Sequence, residues 1–62
     1  MDNWQILCAV RAAVPGRAGW EAVEVVWALL KGTITRQEAE SLLAGLVPDP
    51  EALLEEIMPY DS

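Results

Sequence analysis

The chain has 62 residues, 53% of them hydrophobic, and a formal net charge of −6 at pH 7. One cysteine and no histidine exclude an internal disulfide framework and remove the commonest zinc and haem ligands, so we expect no metal and no cofactor. A chain of this length forms one domain (1–62) with a small core, which needs close packing, self-association or a partner for stability.

The first helix is predicted over residues 3–14. Asp2 or Asn3 suits its N-cap, and Pro15 and Gly16 end it, because proline disfavours a helical residue before it. Cys8 lies within this helix and, with no histidine to activate it, is expected to be a buried structural thiol. The apolar residues of the core side recur at helical spacing: Ile6, Leu7, Val10 and Val14.

The second helix, predicted over residues 20–31 after a connection at 17–19, is the most hydrophobic. Its apolar side chains cover roughly 220° of the helical circumference, against about 100° for an ordinary surface helix. We expect three neighbouring helices to cover its middle (Val23, Val26 and Leu30) and to leave its edge, Trp20 and Trp27, partly uncovered. Gly32 suits a left-handed residue after the helix.

The third and fourth helices are predicted over residues 36–45 and 50–58. Thr35 and Glu38 have the spacing of a capping box, and Gly45 is expected to close the third helix. Asp49 suits the next N-cap, and Pro50 the first helical position. The expected buried stripes are Ala39, Leu42, Leu43 and Leu46, then Leu53, Leu54, Ile57 and Met58. The sequence thus predicts an all-α, compact bundle of four short helices around a central hydrophobic helix, with a short C-terminal tail at 59–62.

Charge divides the chain into two unlike parts. Residues 1–37 hold four bases and three acids, a net charge of +1, whereas residues 38–62 hold seven acids and no base, a net charge of −7. This distribution disfavours binding to a nucleic-acid backbone, which needs clustered Lys and Arg, and it suits a basic protein partner. The longest apolar run, 25–30, is far shorter than a membrane span, so we expect no membrane partner.

The tryptophans are the main candidates for a binding site. Trp20 and Trp27 lie one heptad apart, Lys31 follows Trp27 by one turn and can lie over its ring, and Trp4 is off-centre on the first helix with Arg11 near the same azimuth. Tryptophan is enriched in interface hot spots, but these side chains could equally cap a small core. The candidate partner-binding residues are Trp4, Trp20, Trp27, Lys31, Glu51, Glu55 and Glu56.

The sequence favours a small non-enzymatic protein-interaction module in the cytoplasm, acting as an inhibitor, adaptor or regulatory subunit on a basic or nucleic-acid-binding protein. A compact acidic chain of this kind is also typical of phage- or plasmid-encoded inhibitors. The alternative is a self-associating structural homodimer, which the wide apolar arc predicts equally well. A third interpretation is a helix-turn-helix DNA-binding regulator, in which Arg36 and Gln37 would contact bases, but Glu38 and Glu40 would then face phosphates.

Overall fold

A computed structural model describes residues 2–58, and this part of the chain forms four helices and contains no strand. The helices are α1 (Asn3–Ala13), α2 (Arg17–Lys31), α3 (Arg36–Leu43) and α4 (Pro50–Ile57). The predicted all-α bundle of four short helices is therefore confirmed. The tail predicted at 59–62 lies outside the described residues.

Side-chain caps set the starts of three helices. Asp2 caps α1, and its carboxylate Oδ1 accepts a hydrogen bond from the Gln5 backbone N–H (2.8 Å) while the Gln5 side chain accepts one from the Asp2 N–H. Thr35 and Glu38 form the predicted capping box, with both bonds at 3.1 Å. Asp49 caps α4 through the Ala52 N–H, ahead of Pro50. The helix starts therefore follow local chemistry that is visible in the sequence.

The start of α2 was wrongly predicted, because the helix begins at Arg17 and not at Trp20. Two glycines make 16–19 resemble a loop, but only Gly16, with φ of 74°, has the left-handed backbone of a turn. Gly19 is helical and buried, and a Cβ at this position would overlap the Val14 carbonyl oxygen. Gly19 therefore permits the close approach of α2 to the end of α1 instead of breaking the helix.

The other helix ends lie within two residues of their predicted positions. Gly32 has φ of 80°, which confirms the predicted left-handed cap of α2. The predicted closure of α3 by Gly45 is wrong: the helix ends at Leu43, with Ala44 as a right-handed C-cap. The Leu43 carbonyl then accepts bonds from the Leu46 and Val47 N–H groups, both at 2.8 Å, so a tight turn replaces a glycine cap.

The buried side chains form one cluster to which all four helices contribute. Its members are Ile6, Val10, Val14, Ala22, Val26, Ala39, Leu43, Val47, Leu53, Leu54 and Ile57. Several predictions of burial were wrong in detail: Leu42 is exposed, and the half-buried residues are Leu7, Val23, Leu30, Leu46 and Met58. The buried line of α2 runs instead through Gly19, Ala22 and Val26, because small residues let neighbouring helices approach closely.

Each helix of the described part lies beside two others, in a ring of order α1, α2, α3, α4. Helix α2 therefore has two neighbouring helices, α1 and α3, and not the three expected to cover it. Part of its wide apolar arc remains without a helix over it. That uncovered part carries Trp20, Val23 and Trp27.

Candidate protein-interaction surface

Three exposed tryptophans lie on α1 and α2. The exposed fraction is 73% for Trp4, 61% for Trp20 and 42% for Trp27. The start of α1 meets the Trp27 region of α2, and the last turn of α1 meets Trp20, so the two helices run antiparallel. We call the surface formed by Trp4 and Leu7 of α1 with Trp20, Val23 and Trp27 of α2 the tryptophan face.

Two hollows lie side by side on the tryptophan face, and Trp4, Leu7 and Val23 line both. The first, of about 500 Å³, extends to Trp27 and is also lined by Asn3 and Glu24. The second, of about 410 Å³, extends to Trp20 and is also lined by Cys8, Arg11 and Ala12. Apolar side chains dominate both linings, so water in the hollows has few polar groups to bind.

A cation lies over a tryptophan ring at each end of the face. The Lys31 Nζ is 5.6 Å from the centroid of the Trp27 ring, in the pairing that their spacing predicts. The Arg11 guanidinium carbon is 4.7 Å from the centroid of the Trp20 ring, and its NH1 donates to the Val14 carbonyl at 3.3 Å. The sequence associated Arg11 with Trp4 on its own helix, and only the antiparallel packing of α1 and α2 brings it to Trp20. Both rings are thus held against their helices with one side toward solvent.

The predicted site residues divide into two groups in the structure. Trp4, Trp20, Trp27 and Lys31 lie on or beside the tryptophan face. The acidic members, Glu51, Glu55 and Glu56, are exposed on α4 and line neither of the two hollows. Glu56 lines a separate hollow with Ala13 and Val14, at the opposite end of α1 from Trp4.

Cys8 is exposed and lines the Trp20 hollow, so the expectation of a buried thiol was wrong. The buried residues of α1 are Ile6 and Val10, followed by Val14 at the C-cap, and a residue two positions after Ile6 lies about 200° around the helix. The prediction relied on the proximity of Cys8 to Ile6 and Val10 in the sequence and therefore assigned it to the core side of α1 instead of the exposed side. Leu7 and Val23, which the sequence assigned to the core, belong to the face, and Glu24, which the sequence did not single out, lies beside it. A helical wheel drawn around Trp4 and Trp27 includes all three.

Arg36, the cation proposed to contact bases in a helix-turn-helix, is part-buried in the bundle. Its NH1 donates a 2.7 Å hydrogen bond to the Met58 carbonyl at the end of α4. This bond joins the start of α3 to the end of α4. The guanidinium therefore helps to hold α3 against α4.

Within residues 2–58, no group of three or more His, Cys, Asp or Glu side chains is placed to hold a metal ion. None of the helices in this range is both long enough and apolar enough to cross a bilayer. No protein-family model, curated protein or solved structure matches the chain.

Proposed function

We propose that the chain is a non-enzymatic protein-interaction module that binds a protein partner through the tryptophan face and acts by occupancy, as an inhibitor, adaptor or regulatory subunit. The observation that supports this function is the grouping of all three tryptophans of the chain, exposed, around two apolar hollows. Aromatic anchors beside well-formed hollows are the usual composition of an interface hot spot.

The apolar area is large for so small a protein. Taking about 150–250 Å² for a fully exposed tryptophan side chain, the three exposed fractions correspond to roughly 260–440 Å². The largest apolar patch of a typical monomer is about 300–600 Å² and is often functional. Tryptophan alone therefore supplies an apolar area on this face that is comparable to such a patch.

The acidic half of the molecule has a separate role in this proposal. Exposed carboxylates on α3 and α4, with Glu51, Glu55 and Glu56 foremost, attract a basic or nucleic-acid-binding protein from a distance. They add to the rate of encounter, whereas the tryptophan face supplies the lasting contact. We place this activity in the cytoplasm, where the unpaired thiol of Cys8 stays reduced.

The test is capture from an extract of the native host with wild type and two variants, followed by direct binding of the purified partner. Trp4→Ala removes the most exposed tryptophan, and Leu42→Ala is the matched control, because Leu42 is also exposed (54%) but lies on α3. We expect Trp4→Ala to lose the partner, with a dissociation constant raised at least about tenfold, and Leu42→Ala to keep it.

A partner that binds wild type and Trp4→Ala with equal affinity would remove the basis of this function. Far-ultraviolet circular dichroism measures the helix content of each variant. It distinguishes a folded variant that no longer binds the partner from a variant that has unfolded. Unfolding is not expected for Trp4→Ala, since this side chain lies outside the buried cluster and its partly buried surroundings.

A further inference from the structure

We propose that, when no other protein covers it, the tryptophan face is covered by the same face of a second copy of this chain, in a dimer with two-fold symmetry. The inference rests on the proposed function, because it assigns an occupant to the same surface. The two-fold axis runs across the helices, so that the Trp20 end of one copy covers the Trp27 end of the other.

The first support is that the face carries both an exposed anchor side chain and apolar hollows. Trp4 is the most exposed large hydrophobic residue of the described chain, and it stands between the two hollows that it helps to line. A protruding side chain beside an empty hollow fits a copy of the same surface turned by 180°, because each Trp4 then enters a hollow of the other copy. Such reciprocal contacts define a two-fold interface.

The second support is charge. Arg11 lies at the Trp20 end of the face and Glu24 at the Trp27 end. Lys31 also lies at the Trp27 end, over the Trp27 ring. With the axis across the helices, Arg11 of each copy approaches both Glu24 and Lys31 of the other, whereas the reverse orientation would bring each of these charges toward its own counterpart. Only the first orientation therefore offers Arg11 an opposite charge. The seven acids and no bases of residues 38–62 belong to the other half of the chain, so pairing through α1 and α2 avoids most of the repulsion between two acidic molecules.

The third support is area. A stable interface of standard size buries about 800 Å² on each partner, and the accessible surface of this chain is 4174 Å². An interface of that size takes about one fifth of the surface. The tryptophans supply roughly 260–440 Å² of it as apolar area, and burying that area adds to a core that is small for the length of the chain.

The experiment is sedimentation equilibrium of the full chain from low-micromolar to submillimolar concentration. We expect a dimer for wild type, a dimer dissociation constant raised at least about tenfold for Trp4→Ala, and a wild-type constant for the control Leu42→Ala. A wild type that stays monomeric throughout overturns the inference. It leaves the proposed function intact, because capture of a foreign partner is a separate measurement.

A charge reversal tests the orientation with a closely matched control. Glu24→Lys places like charges opposite Arg11 of the second copy and is expected to raise the dissociation constant at least about tenfold. Glu21→Lys makes the same change one turn away, at a residue that shares the α2–α3 hollow with Glu24 but lines neither hollow of the tryptophan face, and is expected to leave the constant unchanged. Dimerisation of Glu24→Lys with wild-type affinity overturns the proposed arrangement.

Discussion

At the scale of single residues, Gly19 shows how one missing side chain permits a helix contact. It is buried in the first turn of α2, against the Val14 carbonyl oxygen and the Arg11 side chain. Arg11 in turn lies over Trp20, the residue after Gly19. The packing of one glycine therefore also determines where one end of the tryptophan face lies.

Gly19→Ala is expected to destabilise the protein by about 1–3 kcal/mol, because the added Cβ forces the backbone of α1 or α2 to move. This loss is a large part of the free energy of unfolding, which is roughly 3–9 kcal/mol for a chain of this length. Gly45→Ala is the control: a Cβ there meets nothing within 4 Å and its φ is not positive, so stability is expected to be unchanged or slightly raised. Urea unfolding measures both, and equal midpoints for the two variants would contradict this account.

At the scale of helices, the caps depend on contacts between residues that are close in the sequence. The packing of the helices depends on contacts between residues that are far apart in the sequence. The caps formed by Thr35, Glu38 and Asp49 could be predicted because each bond joins residues three apart in sequence. The burial of Leu42 was predicted wrongly because apolar spacing does not tell which side of a wide stripe meets a neighbour. The same holds for α2, whose buried line consists of small residues and not of its largest ones.

Thr35→Ala removes the hydroxyl that accepts the Glu38 N–H, and it is expected to cost about 1 kcal/mol of stability. Ser41→Ala removes a hydroxyl from the exposed middle of the same helix and is expected to be neutral or stabilising by a few tenths of a kcal/mol, since alanine has the higher helix propensity. Denaturant unfolding followed by circular dichroism measures the free energy of unfolding of both variants. An unchanged free energy of unfolding for Thr35→Ala would show that the capping box does not limit the stability of α3.

At the scale of the whole molecule, charge and apolar surface are separated. The tryptophan face lies on α1 and α2, while the acids Glu51, Glu55 and Glu56 are exposed on α4. Sequence spacing could predict that both groups are exposed, but their relative position depends on the order of the helices in the bundle. The separation implies that affinity and encounter rate respond to different substitutions.

The triple variant Glu51→Gln, Glu55→Gln, Glu56→Gln is expected to lower the association rate of a basic partner several-fold and to leave the dissociation rate unchanged. Trp4→Ala is expected to raise the dissociation rate instead. Surface plasmon resonance at low and high salt measures both rates, and the difference in association should vanish at high salt. A changed dissociation rate in the triple variant would place these glutamates inside the contact.

The fold was therefore largely predictable, and the site only in part. The helices and their caps follow from spacing within a few residues. The pairing of Arg11 with Trp20, the exposure of Cys8 and the two hollows depend on how α1 lies against α2. That packing depends on Gly19, whose role as a close-approach residue cannot be distinguished from a turn glycine by composition alone.

The position of the tryptophans also makes their intrinsic fluorescence a probe of binding at the tryptophan face. All three indoles of the chain lie on the exposed face and none belongs to the buried cluster of residues 2–58. In a single uncovered copy, intrinsic fluorescence should therefore change less on melting than it would for a buried indole, because each ring is partly in contact with water before melting and fully afterwards. Its emission should shift to the blue when another protein covers the face. In this chain, fluorescence measures occupancy and circular dichroism measures folding, so the two events can be followed separately in one sample.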